Sequence, residues 1–99
     1  MSSGTTFLRA ALMELNEAFE YYERREAGLG ERFDAEVTAA CEEILRDPQQ
    51  WRERAGGYRR VNLAVFPYYI IYFISGERIF IAAVAHSSRH PEYWKPRMK

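Results

Sequence analysis

The stretch from Tyr58 to Arg97, YRRVNLAVFPYYIIYFISGERIFIAAVAHSSRHPEYWKPR, constrains the fold more than any other part of the chain. Its β-branched and aromatic residues predict three strands, Arg59 to Val65, Tyr68 to Ser75 and Arg78 to His86, because such side chains suit a pleated, half-buried surface. Phe66-Pro67 separates the first two, since Pro supplies no ladder donor. Ser75-Gly76-Glu77 reads as a hairpin loop with Gly at a position needing positive φ.

The first of these strands alternates. Val61, Leu63 and Val65 share one face and Arg60, Asn62 and Ala64 the other, the pattern of a strand buried on one side only. The other two are apolar on both sides, as in strands covered on both faces. One cover is helical; the second must come from the tail, from a partner chain, or from both.

The helices are legible upstream. From Ala10, the residues Ala11, Leu12, Leu15, Ala18, Phe19 and Tyr22 recur at three- and four-residue spacings, with Glu14, Glu17, Glu20 and Glu23 on the remaining helix surface. The pattern ends near Ala27-Gly28, where Gly suits a left-handed cap. After a Gly-Leu-Gly link, Phe33, Val37, Ala40, Cys41, Ile44 and Leu45 define a second helix, which stops at Asp47-Pro48. So short a link implies an antiparallel helical hairpin. Thr5 to Leu8 reads as a short strand and Gln49 to Gly57 as a loop, with Trp51 a lid on the core edge. The order is then β-α-α-β-β-β: an α+β sandwich in which the helical hairpin packs on a mainly antiparallel sheet, with Leu15, Phe19, Phe33, Val37 and Ile44 facing the side that bears Val61, Leu63 and Val65.

A chain of 99 residues suits one domain, spanning residues 1–99. No apolar run approaches the length that crosses a bilayer, and MSSGTTFL has neither a basic start nor a cleavable apolar segment, so a cytoplasmic protein without membrane association is expected. Cys41, the single cysteine, reads as a buried thiol. The net charge of zero conceals two opposed halves: residues 1–47 hold five Arg against eleven Asp or Glu, and residues 48–99 nine Lys or Arg against three Glu. A basic half suits an acidic or nucleic-acid partner, or merely solvates a surface. No phosphate-binding glycine loop, Ser-His-Asp arrangement or metal-ligand cluster is visible, so neither a cofactor nor a metal is expected. Tyr22 reads as core and Tyr21 as rim, and Arg24-Arg25 complements the end of the first helix.

The segments FLRAALMELNEAFEYYE, GLGERFDAEV, ILRDP, YRRVNL, FPYYIIY and VAHSSRHPEYWKPR, in this order over roughly residues 7 to 97, resemble the RelE/ParE superfamily of type II toxin–antitoxin toxins, and particularly its ParE-like, plasmid-stabilisation branch. The short N-terminal strand departs from that pattern. The resemblance implies a bacterial toxin neutralised by a cognate antitoxin that folds on binding. In the ParE-like branch it implies inhibition of DNA gyrase by binding. In the ribonuclease branch it implies cleavage of mRNA on the ribosome, with His86 as acid or base, Arg60 and Arg89 on the scissile phosphate, and Tyr93 stacking or moving a proton. A member that only binds antitoxin, without toxicity, is a third reading. The YRRVNL strand lacks the dense lysines of the ribonuclease branch, and zero net charge is unlike a protein built to hold RNA. A structural reading of His86 is a turn imidazole bonded to a backbone carbonyl, with Tyr93-Trp94 capping the core. For the partner-binding surface, Tyr72, Ile74, Phe80 and Val84 are expected to form the sheet face left for the antitoxin, joined by Tyr93, Trp94 and Arg97 of the tail.

Overall fold

The computed structural model describes residues 4–98; Met1-Ser2-Ser3 of the opening segment and Lys99 lie outside the described residues. The elements are β1 (Thr5–Phe7), α1 (Arg9–Arg25), α2 (Leu29–Arg46), β2 (Arg59–Asn62), β3 (Tyr68–Ser75), β4 (Arg78–His86) and a C-terminal 3-10 turn (Lys95–Met98). The sheet order is β1-β4-β3-β2, antiparallel except for β1, which runs parallel to β4. The two helices pack on one face of this mixed four-stranded sheet, as the residue pattern predicts. Among the described residues no helix is long and apolar enough to cross a membrane.

The helical connection is tighter than its sequence suggests. Gly28 does take positive φ, at 89°, but it opens α2; α1 has already ended at Arg25, with Glu26 extended. Leu29 and Gly30 belong to the first turn of α2, whose free amides need acceptors. Glu23 of α1 supplies them, its carboxylate accepting from the Gly28 N–H at 2.8 Å and the Gly30 N–H at 2.9 Å. A Cβ on Gly30 would lie 2.5 Å from the Phe19 carbonyl oxygen, so a residue without a side chain is what lets the helices approach here.

The first long strand ends early, at Asn62 instead of Val65. Two forces bend it away. The Glu36 carboxylate accepts from the Ala64 and Val65 N–H groups, at 2.7 and 3.0 Å, which removes them from any ladder. Phe66 then turns into the core against Tyr22 and Phe33, at 4.9 and 5.2 Å between ring centroids. An inserted aromatic buries more apolar surface than Val65 would, and Val65 is left 71% exposed. Val61 and Leu63 do pack toward the helices, so the expected face holds for two of its three residues.

The strand pairing reassigns the faces of β3 and β4. Val61 lies opposite Ile70, which puts Ile70 and Tyr72 on the helical side and Tyr69, Ile71 and Phe73 on the other. In β4, Tyr72 pairs with Ile81 but Ile71 with Ala83, so Ala82 is an extra, bulged residue and the alternation reverses across it. Ile79 and Ile81 before the bulge and Val84 after it therefore all face the helices. This corrects the expectation that Tyr72, Ile74, Phe80 and Val84 share an open face. Tyr72 and Val84 lie beneath the helices, 0% and 1% exposed, and the Tyr72 hydroxyl donates to the Pro48 carbonyl. Phe80 is on the opposite side, stacked on Phe73 at 5.2 Å, while Ile74 sits half-exposed at the far end of its strand.

The second face is covered by the chain's own tail over much of its area. Trp94 is buried against Tyr58 and donates its indole N–H to the Tyr69 hydroxyl at 3.1 Å, above Ile71, Ala83 and Ala85. Trp51 closes the helical core at its edge, edge-on to Tyr72. Cys41 is buried as expected, and desolvation pushes its thiol up to about 11.

Candidate interaction cleft and the tail that closes it

β1 reaches only as far as Ile81 along β4, so among the described residues the outer edge of β4 beyond that point has no neighbouring strand. Backbone groups left on such an edge must find other partners. Side chains supply them. The Val84 N–H donates to Glu14 Oε1 at 3.0 Å, and Arg97 Nη1 donates to the Ala82 carbonyl at 3.0 Å. Arg97 also grips Glu14 with both nitrogens, at 3.0 and 2.9 Å, the fork geometry that binds a carboxylate most firmly. The Tyr93 hydroxyl donates to the same carboxylate, and Arg89 Nη1 lies 3.7 Å from it. Burial, with Glu14 beside it, drives the Tyr93 hydroxyl well above its ordinary pKa and keeps it protonated.

Glu14 thus joins α1, β4 and the tail. Reading it as part of the solvated helix surface misses this role. A signal was present: Glu14 stands three residues after Ala11 and four before Ala18, in line with the apolar stripe, where a carboxylate needs partners.

Beside this junction lies a cleft of about 250 Å³, lined among others by Glu17, Tyr21, Tyr68, His86, Arg89 and Tyr93. Three of the four residues nominated for phosphodiester chemistry, His86, Arg89 and Tyr93, therefore meet in one place. Arg60 does not. Its guanidinium lies 3.7 Å above the Tyr69 ring, on the other side of the sheet, with Nε donating to Asn62 at 2.9 Å.

The three that do meet are already engaged. The Ser88 N–H donates to His86 Nδ1 at 3.0 Å, with the Ser88 hydroxyl at 2.8 Å. His86 is therefore a turn imidazole, bonded to a backbone amide where a carbonyl was expected, and in its neutral form the ring proton sits on Nε2. Its ring stands edge-on to Tyr68 at 5.0 Å. Arg89 covers the Tyr93 ring at 3.8 Å as well as facing Glu14.

Of the tail residues nominated for partner binding, Trp94 is core, while Tyr93 and Arg97 are held by Glu14. Apolar surface remains outside at the hairpin end, where half-buried Phe73 stacks on half-buried Phe80 beside Ile74 and Arg78 lies 5.0 Å over the Phe80 ring; Leu12, Met13, Tyr21 and Val65 are exposed elsewhere. Among the described residues no group of three or more His, Cys, Asp or Glu is placed to hold a metal ion.

Comparison with known proteins adds two findings. Residues 6–91 match the family model described as ParE toxin of type II toxin-antitoxin system, parDE. Among solved structures, a chain described as the chromosomal ParDE TA system from P. aeruginosa superposes with a TM-score of 0.72 at 15% identity, over 86% of this chain and 98% of that one, a likeness of fold. No curated protein matches the sequence.

Proposed function

We infer a function from one premise: the chain belongs to the ParE toxin family of type II toxin–antitoxin systems. The reading is that this toxin acts by gripping a protein target in the cytoplasm, namely DNA gyrase, rather than by cutting RNA, and that a cognate antitoxin neutralises it. A single observation carries the preference for binding. The basic side chains nominated to hold a phosphate are each occupied within the protein: Arg89 by Glu14 and Tyr93, Arg60 by Tyr69 and Asn62 across the sheet. A phosphate-cleaving site needs its cations free and converging on one point.

The partly exposed hairpin end, Phe73, Ile74 and Phe80, is the apolar surface we assign to a protein partner. A folded chain that leaves stacked aromatics at a strand end invites a cover, and an antitoxin segment that orders on binding supplies one.

The deciding experiment is His86→Gln, assayed for growth arrest in cells, for gyrase supercoiling in vitro and for mRNA cleavage on translating ribosomes. Persistent toxicity and supercoiling inhibition by a folded variant are expected. If the folded variant loses toxicity and ribosome-dependent cleavage together, by ~100-fold or more, the ribonuclease reading replaces this one.

A further inference from the structure

The cleft beside α1 holds a carboxylate that the described residues leave unpaired. Glu14 is matched by Arg97 and Arg89, and His86 Nδ1 is taken by Ser88. Glu17, one helical turn beyond Glu14 on the cleft wall, has no hydrogen-bond or ion-pair partner among the described residues. Tyr68 presents a hydroxyl that likewise has no partner there, on a ring fixed edge-on by Tyr22, Phe33 and His86. Tyr21, 49% exposed, forms the outer wall, where Arg25 already donates to its hydroxyl at 3.1 Å and lies 5.3 Å from its ring centre, an arginine–tyrosine contact of the kind a ligand would repeat.

We propose that this cleft receives an arginine side chain of the antitoxin, its guanidinium lying against Tyr68 and Tyr21 and paired with Glu17. The sign of the ligand follows from electrostatics. The faces of aromatic rings are electron-rich and attract cations. Glu17 in the cleft wall supplies a negative charge; the Tyr68 hydroxyl, pushed up to about 12 by burial first and then by neighbouring tyrosines and the carboxylates of Glu14 and Glu17, stays a neutral donor and acceptor beside it. An anion would meet Glu17 unshielded, since the nearby arginines are engaged, Arg89 with Glu14 and Arg25 with Tyr21. The planar group is favoured over an ammonium because it lies flat on a ring while sharing its N–H fork between a carboxylate and a hydroxyl.

The source of the arginine rests on the function proposed above; the chemistry of the cleft does not. Two measurements separate them. In the first, the isolated protein is titrated with methylguanidinium chloride, methylammonium chloride and sodium acetate at constant ionic strength, following NMR signals of Glu17, Tyr21 and Tyr68. Methylguanidinium is expected to move these signals most, with affinity weakened about fivefold in Glu17→Gln and unchanged in Glu20→Gln, whose carboxylate pairs with Arg24 outside the cleft. Stronger response to acetate, or no response to methylguanidinium, overturns the cleft assignment.

In the second, the protein encoded by the adjoining reading frame is bound to wild type and to both variants. Glu17→Gln is expected to weaken it about tenfold, with one arginine of that partner showing the same loss when replaced by Ala and no further loss in the double variant. Equal affinity of wild type and Glu17→Gln overturns the antitoxin as the source, as does a concentration-dependent dimer of this chain abolished by Glu17→Gln. Failure of the wild type to bind that protein at all sinks the functional reading instead, and the first titration still decides the cleft.

Discussion

Removing the Glu14 carboxylate should loosen three elements at once. Glu14→Ala leaves the Val84 N–H, the Tyr93 hydroxyl and the Arg97 guanidinium without their common acceptor. Breaking a buried, hydrogen-bonded pair from one side costs about 3–5 kcal/mol, because the surviving charge stays behind unpaired. The Glu14 side chain is 11% exposed and that of Arg97 21%, so water partly rescues the guanidinium and the lower end applies, about 3 kcal/mol. For a domain of this size that corresponds to a fall in Tm of roughly 12–24 °C. Urea melts followed by tryptophan fluorescence report it, since Trp94 sits in the tail that Glu14 holds. Arg97→Ala alone should cost a comparable amount, and the double variant should recover about 1–3 kcal/mol of the summed loss, because the Arg97 charge is then no longer left behind unpaired. A loss below about 1 kcal/mol for Glu14→Ala, or strict additivity of the two substitutions, would refute the view that this pair replaces the missing strand edge.

Three further outcomes are expected. Phe33→Ala should cost about 3–5 kcal/mol in denaturant melts, as Phe33 is fully buried among Tyr22, Phe66 and Tyr68; a cost under about 1 kcal/mol contradicts the packing. Gly30→Ala should destabilise by about 1–3 kcal/mol, because the added methyl meets a backbone carbonyl that cannot swing aside; a neutral or stabilised variant would show that the helices part easily. The Cys41 thiol has its folded pKa raised from 9.0 to about 11, so its contribution is intact below pH 9 and is lost as pH rises toward 11. Stability measured from pH 8 to 10 should therefore fall in the wild type and fall less in Cys41→Ala; identical slopes would place the thiol in water.

Residue spacing was enough for the element order, for the helical hairpin and for most of its inward side chains, because amphipathic periods of 3.6 and 2 report burial directly. It was also enough for the turn at Gly76, with φ at 63°, and for the break at Pro48, since backbone restrictions of Gly and Pro are local properties. The family resemblance, carried by the motif order, agrees with the family match over residues 6–91. The two central strands were different. With apolar residues on both sides, alternation carries no information about which side meets the helices, and only the pairing of Val61 with Ile70 and the bulge at Ala82 decided it. The early end of β2 depended on Glu36, 28 residues before the Ala64 amide it binds. The cleft depended on the same kind of distance: Glu14 and Arg97 lie 83 residues apart, and only a short β1 that leaves the edge of β4 unpaired makes them partners. The place of Glu14 beside the apolar stripe shows that its carboxylate needs partners, but which ones, two arginines and a strand amide from the far end of the chain, is decided by the tertiary structure alone.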